Sequence, residues 1–286
     1  MEGFPVMKQR VRLPLNIRIA PYLRDHQVQG RTVFPAAETL NVLASSVQAY
    51  QPETPVRYMV QASFPRFLPI GMQESGIEAF HELDIRENGD IVSKLLTKGM
   101  SRNGLIGRAR EHAEVRFKKE IPHIPVPPYQ QATRLEGKGF NVTADRLYRE
   151  LVPFGPSYRN VAEDTLTLTE AGAVAHLSSG SIHEASGILG SPFPMDAALH
   201  CACVWGQRFS GIVAFPVGFE ERFIFRPTAT GEAYFCRVLP VMTSAQPLIF
   251  DLWIYGFDGV PFEALLGVAM KDVTAGRMKP PDWIRA

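Results

Sequence analysis

Two polar groups stand where polar groups are least expected, and their types suit acid–base chemistry. His26 lies in Asp25-His26-Gln27-Val28-Gln29-Gly30-Arg31-Thr32-Val33-Phe34-Pro35, just ahead of a helical pattern. Asp196 lies inside an otherwise apolar run, with His200 four residues on. That i,i+4 spacing puts Asp196 and His200 on one helix face, within hydrogen-bonding reach. A histidine titrating near 6.5 acts as a base at neutral pH. An aspartate raised by apolar neighbours holds a proton and donates it, and Phe193, Met195 and Leu199 are candidates for that desolvation. A base and an acid on opposite sides of one substrate suit elimination. The base takes a proton from one carbon while the acid protonates the departing hydroxyl. If the substrate is a thioester, a backbone N–H at a helix start polarises its carbonyl, and Gly30 would permit that close approach. The plainer readings are a structural histidine and an aspartate that favours a helix dipole. Against the second, a buried carboxylate without a partner costs several kcal/mol, so one on an apolar helix needs a partner or a task.

The elements that must position these groups are legible. Pro35 opens a helical pattern to about Tyr50, with Ala36, Ala37, Leu40, Leu43, Ala44 and Val47 at helical spacing. Ser191 is placed to cap a second helix, with Pro192 in its first position, running to about Phe209. That helix is apolar nearly all round and is therefore buried on most sides. Strand signals follow each helix. Leu83 and Ile85 alternate with Glu82, Asp84 and Arg86, and Ala113, Val115 and Phe117 alternate with polar neighbours. Further strands span Phe219 to Phe225, Ala233 to Leu239, Leu248 to Phe257 and Ala264 to Val273. Alternation marks an antiparallel sheet with one buried and one wet face. A sheet wrapping a central helix is the simplest packing that buries it, so the fold class is α+β. The run from Ile121 to Pro128 is proline-rich, extended and semi-rigid. It divides the chain into residues 1–120, a linker over 121–136, and residues 137–286. The two halves share a pattern, with no sequence-level repeat.

Composition narrows the classes. The chain has 286 residues, of which 30 are basic and 29 acidic, so it lacks the basic footprint of a nucleic-acid binder. No apolar run approaches the roughly 18–20 residues of a membrane helix, and Met1 to Arg10 lacks a signal-peptide core. Three cysteines make no disulfide framework, which points to the cytoplasm. With 23 Pro and 23 Gly, short strands and turns should dominate. Gly137-Lys138-Gly139 begins a dinucleotide fingerprint, but Val142 stands in place of its third glycine. No P-loop, HExxH or GxSxG occurs. Cys201 and Cys203 have the wrong spacing for zinc and read as buried thiols, so no metal is expected.

Three segments together resemble a known family. His26, Gly30 and Pro35 form HxxxGxxxxP, which resembles the first signature of the dehydratase domains of modular polyketide synthases. Leu151-Val152-Pro153-Phe154-Gly155-Pro156-Ser157-Tyr158 resembles their second signature, YGPxF, and Ser191 to His200 resembles the third, HPxLLDxxxQ/H. All three occur in order, and the resemblance covers nearly the whole chain. It implies a double hotdog fold, two long helices each wrapped by antiparallel sheet. It implies His26 as base, Asp196 as acid and His200 as the residue that orients Asp196. Gly30, Tyr158 and Pro35 would support them, and Phe34, Phe154, Gly155 and Phe193 would contact substrate. The implied substrate is a β-hydroxyacyl chain on the phosphopantetheine of an acyl carrier protein, which loses water to give an α,β-unsaturated thioester without a metal or redox cofactor. Two departures stand out. Phe154 takes the place of the usual Tyr, with a hydroxyl appearing instead at Tyr158, and Ser191 replaces the usual His of the third motif.

Two other readings share the fold: a double-bond isomerase or product-template cyclase using the same acid and base, and a non-catalytic scaffold that shields an acyl chain. The expected partners are an acyl carrier protein and other polyketide or fatty-acid synthase components. A carrier protein is acidic, so Arg24 and Arg31 beside His26 are candidates to meet it. A homodimer is possible, although two hotdog units in one chain would already satisfy that pairing.

Overall fold

The computed structural model describes residues 7–100 and 106–285. Residues 1–6, part of the stretch read for a leader, lie outside the described residues. The first half carries β1 (Met7–Arg18), β2 (Gln27–Val28), β3 (Arg31–Phe34), α1 (Ala36–Tyr50), β4 (Tyr58–Ser63), β5 (Leu68–Pro69), β6 (Gly76–Arg86), β7 (Ile91–Met100) and β8 (Ile106–Phe117). After α2 (Tyr129–Ala132) come β9 (Phe140–Val142), α3 (Ala144–Arg146), β10 (Leu166–Thr169) and β11 (Gly172–Ser178). The chain continues through α4 (Phe193–Phe209), β12 (Phe215–Ile224), β13 (Ala233–Met242), β14 (Leu248–Tyr255), β15 (Pro261–Lys271) and α5 (Asp282–Arg285).

Twelve strands form one antiparallel sheet in the order β1-β6-β7-β8-β4-β12-β15-β14-β13-β11-β10-β9. The first five wrap α1 and the last seven wrap α4. The two sets join at β4 and β12, where Ala62 pairs with Phe219 and Tyr58 with Phe223. This is the double hotdog that the family resemblance implied. The alternating strands bury their apolar residues as expected: Leu83, Ala113, Val115 and Phe117 are fully enclosed. The opposite face of β6 is not simply wet. Arg10 and Arg12 of β1 lie directly across from Asp84 and Glu82 and cover both carboxylates with ion pairs at 2.5 Å.

Both long helices start about where proline marks them. Pro35 sits just outside α1, and its carbonyl accepts from both the N–H and the hydroxyl of Thr39 at 2.9 Å. Leu40, Leu43, Ala44 and Val47 form the fully buried stripe of α1, each leucine contributing about 1.5–3 kcal/mol by leaving water. Every residue of α4 from Phe193 to Gln207 is buried. The segment leading into α4 docks on α1 through Asn41, whose side chain accepts from Leu189 N–H at 3.2 Å and donates to Gly190 O at 3.3 Å.

The proline-rich segment differs from a free spacer. Ile124, Val126 and Tyr129 pack on the outer face of the sheet against an apolar cluster that includes Tyr58, Phe223, Phe235, Trp253 and Tyr255. Tyr255 Oη donates to Pro127 O at 3.0 Å. Proline lacks an N–H, so an extended run cannot add a strand there, yet its carbonyls still accept. The segment is a strap fastened across the sheet.

Candidate active site

The hairpin of β2 and β3 explains the spacing around His26. Gln29 and Gly30 turn the chain with φ of 52° and 71°, the left-handed region that glycine adopts without strain. The turn brings Val33 back beside His26. Val33 N–H donates to His26 O at 3.0 Å, and His26 Nδ1 lies 3.0 Å from Val33 O. A carbonyl only accepts, so Nδ1 carries the hydrogen and Nε2 keeps its lone pair. Nε2 faces Asp196 Oδ1 at 3.8 Å.

Asp196 is delivered by the first turn of α4. Helical geometry begins at Phe193, one residue later than the cap pattern suggested. Ser191 still anchors the start, its hydroxyl accepting from Phe193 N–H at 3.4 Å and donating to Ser179 O at 2.8 Å. One turn on, His200 Nε2 lies 2.9 Å from Asp196 Oδ2. The approach is out of line for a hydrogen bond, and neither atom has an aligned partner, so the contact is chiefly electrostatic. Tyr148 Oη accepts from Val161 N–H at 2.8 Å and lies 3.5 Å from His200 Nδ1, toward which it can turn its own hydrogen.

Burial pushes the His26 imidazole below its ordinary value, and neighbouring Asp196 recovers only part of that shift. His26 is therefore neutral at pH 7, as a base must be. Asp196 departs from the sequence expectation. Burial does push its carboxyl up, as apolar neighbours should, but His200 and His26 outweigh burial and hold it below the usual carboxylate value. The apolar residues of α4 were visible in the chain; the convergence of two imidazoles on one carboxyl was not.

The pair opens on a cavity of about 460 Å³. Asp196, Leu199, His200 and Cys203 line it from one face of α4, over about 10 Å at the helical rise. Phe34, Phe154 and Val152 line it beside His26, and Arg66, Phe67 and Lys271 also lie on its wall.

A family model described as the polyketide synthase dehydratase N-terminal domain matches residues 128–280, more than half of the chain. The chain belongs to the polyketide synthase dehydratase family. It is a β-hydroxyacyl dehydratase of polyketide synthesis, a hydro-lyase. No curated protein sequence matches this dehydratase. Its fold is shared with solved dehydratase domains of low identity. The domain of RzxB from Pseudomonas fluorescens is 16% identical, with 90% of this chain and 94% of that one covered, at a TM-score of 0.68. The domain from the CurF module of the Curacin polyketide synthase is 17% identical, with 95% of each chain covered, at 0.71. That from the CurK module is 16% identical, with 94% and 95% covered, at 0.72.

In this dehydratase the second signature packs directly on His26. The Phe154 ring lies 4.4 Å from His26 and 4.9 Å from His200, and the Tyr158 ring lies 5.1 Å from His26. The Tyr158 hydroxyl is buried without a partner, and burial pushes it well above its ordinary value. Tyr158 and four other residues expected at the site do not line the cavity. Gly30 makes the turn, with open space around it in place of a close approach. Pro35 starts α1. Phe193 is enclosed by Tyr22 and Tyr158, with ring centroids at 6.0 and 5.4 Å. Gly155 packs on Asp25, whose carbonyl accepts its N–H at 2.8 Å and whose carboxylate accepts Ser157 N–H at 2.9 Å. The proposed docking residue Arg24 is committed elsewhere, donating to Gly71 O at 3.2 Å and Glu74 O at 2.9 Å. Neither Arg24 nor Arg31 lines the cavity, whereas Arg66 and Lys271 do.

Sequence reasoning missed Asp25, Tyr148 and, above all, Glu38. Glu38 lies on the buried side of α1 and accepts from Tyr22 Oη at 2.8 Å. Burial, opposed by that hydrogen bond, pushes its carboxyl up to about 8, and the charge on Asp196 adds to the rise. The available signal was its position between Ala37 and Leu40, two residues of the apolar stripe.

Proposed function

We propose that His26 is the base and Asp196 the acid of this dehydration, acting on a β-hydroxyacyl thioester carried by the phosphopantetheine of an acyl carrier protein. The supporting observation is His26 Nε2, unprotonated and aimed at Asp196 Oδ1 across 3.8 Å at the cavity wall. Nε2 takes the proton from the α-carbon. The freed electron pair forms the Cα–Cβ double bond, the Cβ–O bond breaks, and the hydroxyl leaves as water with a proton from Asp196. Groups so close together suit a hydrogen and a hydroxyl on neighbouring carbons, both on one face of the substrate.

Asp196 needs a proton to play the acid. His200 Nε2, 2.9 Å from Asp196 Oδ2, would orient the carboxyl that donates. All these transfers use side chains of the chain itself, with no redox or metal step. Arg66 and Lys271, both on the cavity wall, would meet the phosphate of the carrier's arm. The free, buried thiols of Cys201, Cys203 and Cys236 support a cytoplasmic setting, and no helix among the described residues is long and apolar enough to cross a membrane.

The test is dehydration of a β-hydroxyacyl N-acetylcysteamine thioester by His26→Ala and Asp196→Asn. Each variant should lose about 10²–10⁴-fold in kcat. Full turnover in both would overturn the assignment.

A further inference from the structure

Strict alternation along β8 would put His112 on the outer face with Glu114. It is instead buried at the cavity wall. A bulge makes the difference: Ala113 pairs with Leu95 and Glu111 with Leu96, so His112 has no partner on β7. Glu111 and Glu114, three residues apart, both reach Lys94 on the outer face, the first at 3.2 Å. The bulge absorbs the odd residue and re-aims its side chain, so His112 joins Ala113 on the inner side.

Both nitrogens of the ring are committed there. Nδ1 lies 3.2 Å from Phe67 O and, facing a carbonyl, carries the hydrogen; Nε2 then accepts from the Thr97 hydroxyl at 2.8 Å. Phe67 belongs to residues 63–68, every one of which lines the cavity. That segment is tied near its ends, where Phe64 N–H donates to Val217 O at 2.8 Å and Leu68 pairs with Phe34. Pro65 has no N–H to add a tie between them, and it is here that His112 takes the Phe67 carbonyl. Arg66, Phe67 and Lys271 are exposed where they line the cavity, which marks its mouth. The Phe67 ring faces Phe215 at 6.1 Å, and Phe215 is the strand partner of Lys271. Arg66 and Phe67 thus form one side of the mouth, Phe215 and Lys271 the other.

We propose that His112 is a positioning residue for substrate binding: by holding the Phe67 carbonyl it fixes Arg66 across the mouth from Lys271, and so sets the preference for an acyl chain whose thiol arm bears a phosphate. This rests on the phosphate-binding role proposed for Arg66 and Lys271. An arginine on a loose segment must be ordered when it binds, and that ordering subtracts from affinity; a segment already tethered has the cost removed in advance. His112 acts through Arg66, so its effect falls on KM, and only where the phosphate is present.

The experiment compares KM for a β-hydroxyacyl phosphopantetheine with KM for the same β-hydroxyacyl pantetheine, which lacks the phosphate. Wild type should prefer the first by about tenfold, the worth of one hydrogen bond to a charged group. His112→Leu keeps the bulk and removes the N–H. It should cut that preference at least about threefold, with the loss in KM for the phosphorylated substrate and kcat little changed. His112→Asn puts an amide N–H where Nδ1 stands and should restore the preference. Looser packing alone would raise both KM values together and leave their ratio unmoved, so a wild-type ratio in His112→Leu overturns the proposal. A loss shared by His112→Leu and His112→Asn overturns it too, because the N–H is then not what matters. If His112→Leu fails to fold, Thr97→Val removes the ring's other tether, and a wild-type ratio there overturns the proposal. Arg66→Ala separates the layers: an unchanged ratio there overturns the phosphate reading and His112 with it. A ratio lost in Arg66→Ala beside a wild-type one in His112→Leu overturns His112 alone.

Discussion

A methyl group added to the α-carbon of Gly155 would fall 2.4 Å from Asp25 Oδ1. The second signature is thus clamped to the residue next to His26, because the Asp25 carbonyl and carboxylate also take the N–H groups of Gly155 and Ser157. Gly155→Ala should destabilise the fold by about 1–3 kcal/mol through overpacking and push the Phe154 ring off His26. Thermal unfolding and kcat should fall together. Asp25→Gly removes all three close contacts, the Cβ at 2.7 Å included, so the double variant should recover part of the stability lost by Gly155→Ala alone.

The acidity dependence of the reaction follows from His26. Its lowered value means that the neutral, competent form persists below the ordinary 6.5 of an imidazole. Activity is present above the lowered value and is lost as pH falls through it. A kcat/KM profile should place its acid limb below 6.5. A limb at or above 6.5 would contradict a buried base.

The acyl chain should lie along α4 past Cys203, which together with Leu199, Val152, Ala214 and Met270 supplies an apolar wall. Cys203→Phe puts a ring into that space. It should raise KM for long acyl chains by about tenfold or more and leave short ones nearly unaffected. Measured KM across a chain-length series checks this.

His81 makes a stability prediction away from the site. Its ring is enclosed between Ser46 Oγ at 2.7 Å and Ser93 Oγ at 2.6 Å, and burial pushes it down to about 4. A depressed histidine contributes its full stability above the unfolded value of about 6.5 and loses it as pH falls toward 4. The loss over that window is on the order of 3 kcal/mol. Chemical denaturation at pH 7 and near pH 4.5 should show the gap between wild type and His81→Gln shrinking on acidification.

Both helices, most strands and the proposed catalytic pair were legible in the chain, each for a local reason. Proline and apolar spacing mark α1 and α4, and the four-residue step from Asp196 to His200 survives any packing. The spacing from His26 to Gly30 was visible as a motif, although its meaning as a hairpin that pins Nδ1 needed Val33 in place. What stayed hidden depends on contacts between distant segments. Glu38 on a helix reads as ordinary surface charge until Tyr22 is seen above it. The downward shift at Asp196 comes chiefly from His200, four residues on, and an imidazole 170 residues away in the chain adds the smallest share. The strap was read as a spacer because the aromatic cluster beneath it comes from β4, β12, β13 and β14 at once.

The proposed base and acid lie on opposite sides of residues 121–136, and their two halves of the sheet meet along β4 and β12. Each half therefore carries one member of a pair that is useless alone. A chain nicked in that segment would be two inert fragments, and the rate of turnover would scale with the number of reassembled particles. Enoyl product then becomes a complementation signal, an optical readout of two polypeptides zipping edge to edge.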